Sequence, residues 1–220
     1  MTFRNRLQYF LVKKLQISNK EAIELIVTGQ ILVNNSVSCH NFELSETDSV
    51  GYKELVLQEA KKLIYVAFYK PRGIETTLNR KIPDNLAAIL PFDESLFPVG
   101  RLDKESEGLL LLTNDGKIFD HTLRQENNIE KEYIVKVNKT ISDDFLSKMS
   151  TGVNILGKTT KESKIEKIDE FQFKIILTQG LNRQIRRMCY KLGYEVESLI
   201  RIRIGNISLL ALKPLEFRYL

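Results

Sequence analysis

The 220-residue chain contains no tryptophan, only two cysteines and only two histidines. Cys39 and Cys189 lie far apart in the sequence, which argues against a disulfide framework and favours a reducing compartment. No cluster of cysteine, histidine and carboxylate residues at metal-ligand spacing surrounds His40 or His121, so no metal site is predicted. A Walker A loop and a GxGxxG turn are also absent, which argues against nucleoside triphosphate and dinucleotide chemistry.

Long hydrophobic runs are absent too. No apolar stretch approaches the roughly 20 residues of a membrane span, and MTFRNRLQYFLVKKLQ lacks the apolar core of a secretory signal. We therefore expect no membrane contact and a cytoplasmic location. The 43% of hydrophobic residues suffices for one medium domain and a smaller one. The 33 basic residues outnumber the 28 acidic ones, giving a net charge of +5, which is compatible with a polyanionic partner.

The first sixty residues predict two helices followed by a hairpin. Leu7 and Leu11 are apolar residues at helical spacing in the first helix. Ser18 followed by Glu21 is the pattern of a capping box at the start of the second. That helix is expected to end at Gly29, and ILVNNSVSC then predicts a strand, a turn and a strand. The stretch YKELVLQEAKK is expected to join this unit to a second domain, with an edge strand within it as an alternative.

Strand-like runs separated by turn signals dominate the rest of the chain. These runs are LIYVAF, GLLLLT, EYIVKV, FQFKIILT, VESLIRIRI and NISLLAL. Helices are predicted at 117–124, 142–150 and 182–192. The expected fold class is α+β, with a small helix-helix-hairpin domain at 1–60 and a larger domain at 61–220 built on a central, largely antiparallel mixed sheet.

The stretch VGRLDKESEGLLLLTNDG places acidic residues directly before a buried strand. Asp103, Glu105 and Glu107 recur at every second residue and would face one way in an extended chain. Three close carboxylates repel each other, so either the stretch is solvated throughout or one carboxylate turns toward a cationic partner. A glycosidase-like acid pair is a third alternative, but it needs aromatic residues that bind sugar, and the chain has no tryptophan.

The segment QGLNRQIRRMCYKLGYEV supplies candidate cations. On a helix, Arg183 lies within one turn of both Arg186 and Arg187, and apolar residues fall on a second stripe. Such arginines are often solvated or ion-paired on a surface. Guanidinium groups also suit phosphate and carboxylate, so one helix could hold RNA and orient an acidic residue. Tyr133 in EKEYIVKV is a further candidate, although strand tyrosines commonly pack in cores.

Four motifs in this order and spacing resemble the RsuA-type pseudouridine synthases. They are KPRG at 70–73, FPVGRLDKESEGLLLLTNDG at 97–116, KEYIV at 131–135 and QGLNRQIRRM at 179–188. The first unit resembles the RNA-binding domain named after ribosomal protein S-four, which this family joins to a mixed α/β catalytic domain. The segment GVNILGKTTK and the leucine at 181 are most similar to the F branch of the large-subunit ribosomal RNA enzymes.

The resemblance implies a reaction and three residue roles. Asp103 in GRLD matches the family's essential aspartate, Tyr133 in KEY its active-site tyrosine, and Arg186 in QIRRM the arginine paired to the aspartate. Glu105 and Glu107 then need no catalytic role. The implied reaction is the isomerisation of uridine to pseudouridine in RNA, which requires no cofactor because the product is an isomer.

The implied partner is ribosomal RNA, of the large subunit, or an assembling ribosomal subunit, and the chain is expected to be a monomer. Basic side chains are expected to contact RNA phosphates. These are Lys70, Arg101, Arg183 and Arg187 around the site, and Lys14 and Lys20 in the first unit. Two alternatives stay open: a synthase acting on small-subunit ribosomal RNA or tRNA, and a non-catalytic RNA-binding assembly factor, which would not require all three motif residues.

Overall fold

A computed structural model describes residues 5–92, 95–118 and 128–220. The chain divides into two compact units, Met1–Leu63 and Ile64–Leu220, so the division falls three residues beyond the boundary expected after residue 60. The helix expected at 117–124 and His121 lie mostly or wholly outside the described residues. Within the described ranges, every helix is too short or too polar to cross a bilayer.

Helices α1 (Leu7–Leu15) and α2 (Asn19–Val27) open the first unit. The capping box predicted for α2 is present: the Ser18 hydroxyl accepts a hydrogen bond from the Glu21 amide at 3.2 Å, and the Glu21 carboxylate accepts one from the Ser18 amide at 2.8 Å. Gly29 follows α2 with a φ of +70°, a left-handed conformation that favours glycine. Local sequence therefore fixes both ends of this helix.

Four short strands form the sheet of the first unit. They are β1 (Ile31–Val33), β2 (Ser36–Ser38), β3 (Val50–Tyr52) and β4 (Leu55–Gln58). All pairs are antiparallel, in the order β2-β1-β3-β4. The hairpin of β1 and β2 confirms the prediction, and β4 is the edge strand considered within YKELVLQEAKK. The sequence does not predict β3, because a run of three residues is too short to show a period.

Among its described residues, the second unit contains the larger sheet, the helices α3 (Asp143–Thr151) and α4 (Gln184–Lys191) and a 3-10 turn. Its strands are β5 (Tyr65–Lys70), β6 (Phe97–Val99), β7 (Glu107–Thr113), β8 (Lys131–Val137), β9 (Asn154–Ile155), β10 (Lys158–Thr159), β11 (Lys164–Lys167), β12 (Gln172–Leu177), β13 (Val196–Ile204), β14 (Ile207–Ser208) and β15 (Phe217–Tyr219). The 3-10 turn lies at Leu86–Ala88. The run NISLLAL forms only the two-residue strand β14.

The main sheet follows the order β11-β12-β8-β13-β7-β5-β15, with β14 beside β13 and β6 beside β7. Among the described residues, β13 and β7 are its one parallel pair. The predicted α+β fold with a largely antiparallel mixed sheet is therefore confirmed. The parallel pair matters for the site, because it places the start of β7 against the middle of β13, opposite Tyr133 in β8.

Helices α3 and α4 cover one face of the sheet around β8 and β12. Phe145 and Met149 from α3 and Ile185, Met188 and Cys189 from α4 are buried in this core. Ser142 caps α3 as predicted, through a hydrogen bond that its hydroxyl accepts from the amide of residue 145 at 3.1 Å. The apolar stripe of α4 faces inward, so its arginines are left on the other side of the helix.

Candidate active site

An acidic loop, residues 100–106, joins β6 to β7 and contains Asp103, which is partly buried. Thr76 holds the backbone of this loop. Its hydroxyl donates to the carbonyl oxygen of Leu102 at 2.7 Å and accepts from the amide of Leu102 at 3.2 Å. Because the residue directly before Asp103 is fixed on both its amide and its carbonyl, the loop is held in one conformation at the aspartate.

Arg186 reaches the acidic loop from α4. Its Nη2 donates to the carbonyl oxygen of Glu105 at 2.7 Å, and its Nη1 donates to that of Val196 at 3.1 Å. Among the described residues, no ion pair within 4.0 Å joins Arg186 to Asp103. The expected direct pairing is therefore absent, because two backbone carbonyls occupy the guanidinium. Burial and Arg183 lower the pKa of Arg186, and Asp103 opposes them, so the two charges still interact.

Strand register brings Tyr133, Arg201 and Gly108 side by side. Arg201 in β13 is paired with Tyr133 in β8 and with Gly108 in β7. Gly108 has a φ of +104°, and a Cβ added there would lie 2.8 Å from the amide nitrogen of Arg201 and against its carbonyl oxygen. Only glycine fits this position without displacing the backbone. The close approach keeps the end of the acidic loop next to β13, whose other edge is paired with Tyr133 in β8.

These elements surround a cavity of about 970 Å³. Asp103 and Tyr133 both line it, together with Arg183, Arg201 and Lys131. Two of the three predicted catalytic residues thus meet in one cavity. Arg186 lies behind the acidic loop instead and lines a neighbouring concavity of about 710 Å³.

The cavity wall is basic, and burial lowers the pKa of its lysine, Lys131. Burial, and then the charge of Arg201, lower the pKa of Lys131, whose Nζ donates to the carbonyl oxygen of Ile129 at 3.2 Å. A cation that is partly removed from water and lies near another cation favours an anion beside it. The site is therefore suited to a negatively charged group.

Lys70 corrects one prediction of an RNA contact. Its side chain is 0% exposed, and its Nζ donates to the carbonyl oxygens of Pro71 at 2.9 Å and Ile74 at 2.7 Å. The expectation that Lys70 meets RNA phosphate is wrong for this structure, because its ammonium lies inside the protein. Burial lowers the pKa of Lys70 to about 8, against the raising influence of Glu75 and Glu107.

The other basic residues expected to contact RNA are exposed. In the second unit these are Arg101, Arg183 and Arg187. Arg183 lines both concavities, and Arg187 donates from Nε to the carbonyl oxygen of Asn182 at 3.1 Å. In the first unit they are Lys14 and Lys20. Their exposure leaves all five available for contacts with an anionic partner.

Arg201 is a site residue that the sequence motifs do not single out, as are Thr76, Gly108 and Lys131. Arg201 is 3% exposed and lies in the wall of the cavity. The run VESLIRIRI contains a usable signal, since Arg201 and Arg203 alternate with the apolar residues of the stretch 199–204. Two arginines on one face of such a strand are expected to be paired or functional, because buried guanidinium groups need partners.

An aspartate and a tyrosine in a basic cavity on a mixed sheet form a site suited to an anionic substrate. Residues 64–191 match the family model described as RNA pseudouridylate synthase. The chain belongs to this family, and the predicted RsuA-type relationship is confirmed. It is therefore an RNA pseudouridine synthase, an isomerase.

Several known proteins are similar over most of the chain. Dual-specificity RNA pseudouridine synthase RluF of Escherichia coli is 40% identical over 215 residues, which cover 97% of this chain and 74% of that protein. Ribosomal large subunit pseudouridine synthase B of Bacillus subtilis is 30% identical over 226 residues, covering 98% of this chain and 91% of that protein. A crystal structure of a pseudouridylate synthase matches with a TM-score of 0.67 and 25% identity, covering 98% of this chain and 95% of that one.

Proposed function

We propose that this synthase modifies ribosomal RNA of the large subunit and that Asp103 is its catalytic residue. The position of Asp103 supports this assignment most directly. Asp103 lines the same cavity as Tyr133, on a loop whose backbone is held by Thr76 and Arg186. The name of the Bacillus subtilis relative supports the choice of RNA.

The reaction breaks the bond between N1 of uracil and C1′ of the ribose, turns the base and forms a bond between C5 and C1′. A proton leaves C5 and a proton is added at N1, so the atoms balance without a cofactor. Asp103 would attack the sugar, attack the pyrimidine ring or remove a proton from the sugar. All three routes need an ionised carboxylate.

Tyr133 would support the target base. Its ring lies partly buried at the border of the core around α3 and α4 and lines the cavity. An aromatic ring in this place offers a flat apolar surface to the uracil, and the hydroxyl can share a proton. The apolar residues Val99, Leu199 and Ile204 also line the cavity and would exclude water while the base is detached.

The RNA would be held by the basic surface beside the cavity. A uridine must leave its stack to reach Asp103, which costs a few kcal/mol, and phosphate contacts can offset that cost. Arg183 and Arg187 line the neighbouring concavity with Tyr190, which is 76% exposed and free to stack on a base. Arg101 would contact RNA at the cavity itself. Lys14 and Lys20 would contact RNA from the first unit if that unit binds RNA as an S-four-like domain does.

Arg186 has a revised role in this proposal. It holds the acidic loop through the carbonyl of Glu105 and links the loop to Val196 at the start of β13. A lysine keeps the charge but cannot donate to two carbonyls in the same fork geometry. We expect Arg186→Lys to lower the rate of pseudouridine formation at least tenfold while RNA affinity changes little.

The test is to incubate the purified protein with an unmodified transcript of large-subunit ribosomal RNA. Pseudouridine is then mapped by reverse-transcription stops after carbodiimide treatment. Asp103→Asn should abolish new stops and leave RNA affinity within a small factor, because the shape of the loop is kept. Glu105→Gln is the matched control: this exposed acid lies two residues away, 3.5 Å from Arg72, and its loss should leave the product unchanged.

Product from Asp103→Asn at the wild-type rate would overturn the catalytic assignment. New stops with small-subunit ribosomal RNA or tRNA, and none with large-subunit RNA, would overturn the choice of substrate. Binding without product in any RNA would favour the assembly-factor alternative. The monomeric state and the cytoplasmic location stay predictions.

A further inference from the structure

Arg201 connects three parts of the active site. Its Nε donates to the carbonyl oxygen of Leu109 in β7 at 2.7 Å, and its Nη1 donates to that of Arg101 in the acidic loop at 3.4 Å. Its backbone is paired with Tyr133 on one side and Gly108 on the other. The side chain of Arg201 therefore links the loop that carries Asp103 to β7 and β13, and its backbone is paired with the strand that carries Tyr133.

The third nitrogen of this guanidinium has no partner. Nη2 of Arg201 is buried and makes no hydrogen bond, and no carboxylate among the described residues lies within 4.0 Å of the group. Arg203, two residues further along β13, is the opposite case. It donates to Glu132 at 2.6 Å and to Glu130 at 2.9 Å. The fold thus neutralises one arginine of this strand and leaves the charge of the other uncompensated.

An uncompensated buried charge is costly, and the neighbours of Arg201 make it costlier. Burial and then the charge of Arg201 lower the pKa of Lys131. Arg201 also lowers the pKa of Lys70, although burial, which lowers it, and Glu75 and Glu107, which raise it, act more strongly there. Three cations thus lie close together in or behind the cavity wall. Such an arrangement destabilises the free protein and favours any anion that enters the cavity.

We propose that Arg201 is a positioning residue of the synthase that holds the acidic loop against β13 and supplies the unpaired positive charge facing the reacting uridine. This inference rests on the proposed role of Asp103. In the routes that cleave the bond between N1 and C1′ by attack on the sugar or by removal of a sugar proton, the electron pair of that bond stays on the base. A fixed positive charge beside the detached, anionic uracil stabilises it without reorganisation.

The test compares Arg201→Met and Arg201→Lys with the control variants Arg203→Met and Arg203→Lys. The rate is measured in single turnover at saturating protein with an unmodified transcript of large-subunit ribosomal RNA, and RNA affinity is measured by filter binding. We expect Arg201→Met to lose about 100-fold in rate, the loss typical for one preorganised donor, while affinity changes less than threefold. Arg201→Lys should recover about tenfold of that loss, because it restores the charge without the planar fork. The Arg203 variants should stay within threefold of the wild type.

A rate for Arg201→Met within threefold of the wild type would overturn the inference. A loss of RNA affinity equal to the loss of rate would overturn it too, because the residue would then act in binding alone. Should Arg201→Met not fold, as judged by circular dichroism, Arg201→Lys decides, and a wild-type rate there refutes the positioning role. Failure of the proposed function is distinct, since it shows as missing product in the wild type or as product from Asp103→Asn.

Discussion

The buried ammonium of Lys70 makes the stability of the second unit depend on pH in a predictable way. Lys70 is 0% exposed, and its pKa falls from 10.5 to about 8. Below pH 8 the lysine is protonated in both the folded and the unfolded chain, so the full penalty for burying its charge is present. Above pH 10.5 it is neutral in both, so the penalty is gone.

The size of the effect follows from the difference between the two pKa values. Each pKa unit corresponds to about 1.4 kcal/mol, so the protonated form is disfavoured by ~3 kcal/mol in the folded state. As the pH rises through 8, the folded chain loses the proton first and gains stability relative to the unfolded chain. Between pH 7 and pH 10 the gain should be about 2.5 kcal/mol.

The variant Lys70→Met isolates this contribution. Burial raises the pKa of Tyr69 to about 12, so Tyr69 lowers the free energy of unfolding above pH 10 in both the wild type and the variant. The difference between their free energies of unfolding removes that effect. Because the chain has no tryptophan, urea unfolding is best followed by circular dichroism, at pH 7, 8, 9 and 10. Lys148→Met, which removes an exposed lysine paired with Asp144 at 2.7 Å, is the control.

We expect the stability of the wild type to rise relative to Lys70→Met across this range, and not relative to Lys148→Met. A constant difference between the wild type and Lys70→Met would refute the reasoning. It would mean that the charged side chain of Lys70 is not buried. The conclusion that Lys70 does not contact RNA phosphate would then fail.

Three further predictions test other features of the fold. Gly108→Ala should destabilise the protein by about 2 to 4 kcal/mol, because the new methyl group meets the backbone of Arg201. The same change should lower the rate of pseudouridine formation. Thermal unfolding measures the first effect and single-turnover kinetics the second. The exposed thiol of Cys39 should react with a disulfide reagent at pH 8. Cys189 should react only after unfolding, because burial raises the pKa of its thiol to about 12. Equal reaction rates for the two thiols would contradict the burial of Cys189. Ser18→Ala should cost the first unit about 1 kcal/mol in urea unfolding, and an unchanged midpoint would show that the capping box does not contribute.

Local patterns in the sequence were sufficient for most elements of the fold. The caps of α2 and α3 depend on a side chain and an amide three residues apart, so Ser18 and Ser142 are recognisable without tertiary structure. Long apolar runs such as the one that forms β7 are equally recognisable, because they have no role outside a core. β3 was missed because its three residues are held by pairing with β1 and β4, which lie elsewhere in the chain.

The contacts of the site's cations required the tertiary structure. Lys70 follows an apolar strand in KPRG, which is compatible with a surface lysine, yet its ammonium is turned inward to two carbonyls. Arg186 was expected at the carboxylate of Asp103, and it holds the backbone of Glu105 instead. In both cases residue type predicts a charge but not the direction of a long, flexible side chain.

The sequence by itself determined the family, the α+β class and the identity of Asp103 and Tyr133 as candidates, since these depend on motifs and on periods along the chain. Only the tertiary structure decided that Arg201 stands between them. Its partners lie about 65 to 100 positions away in sequence, and the parallel register of β13 with β7, allowed by Gly108, is what brings them together. Contacts of that kind arise from the packing of distant strands, which no local pattern encodes.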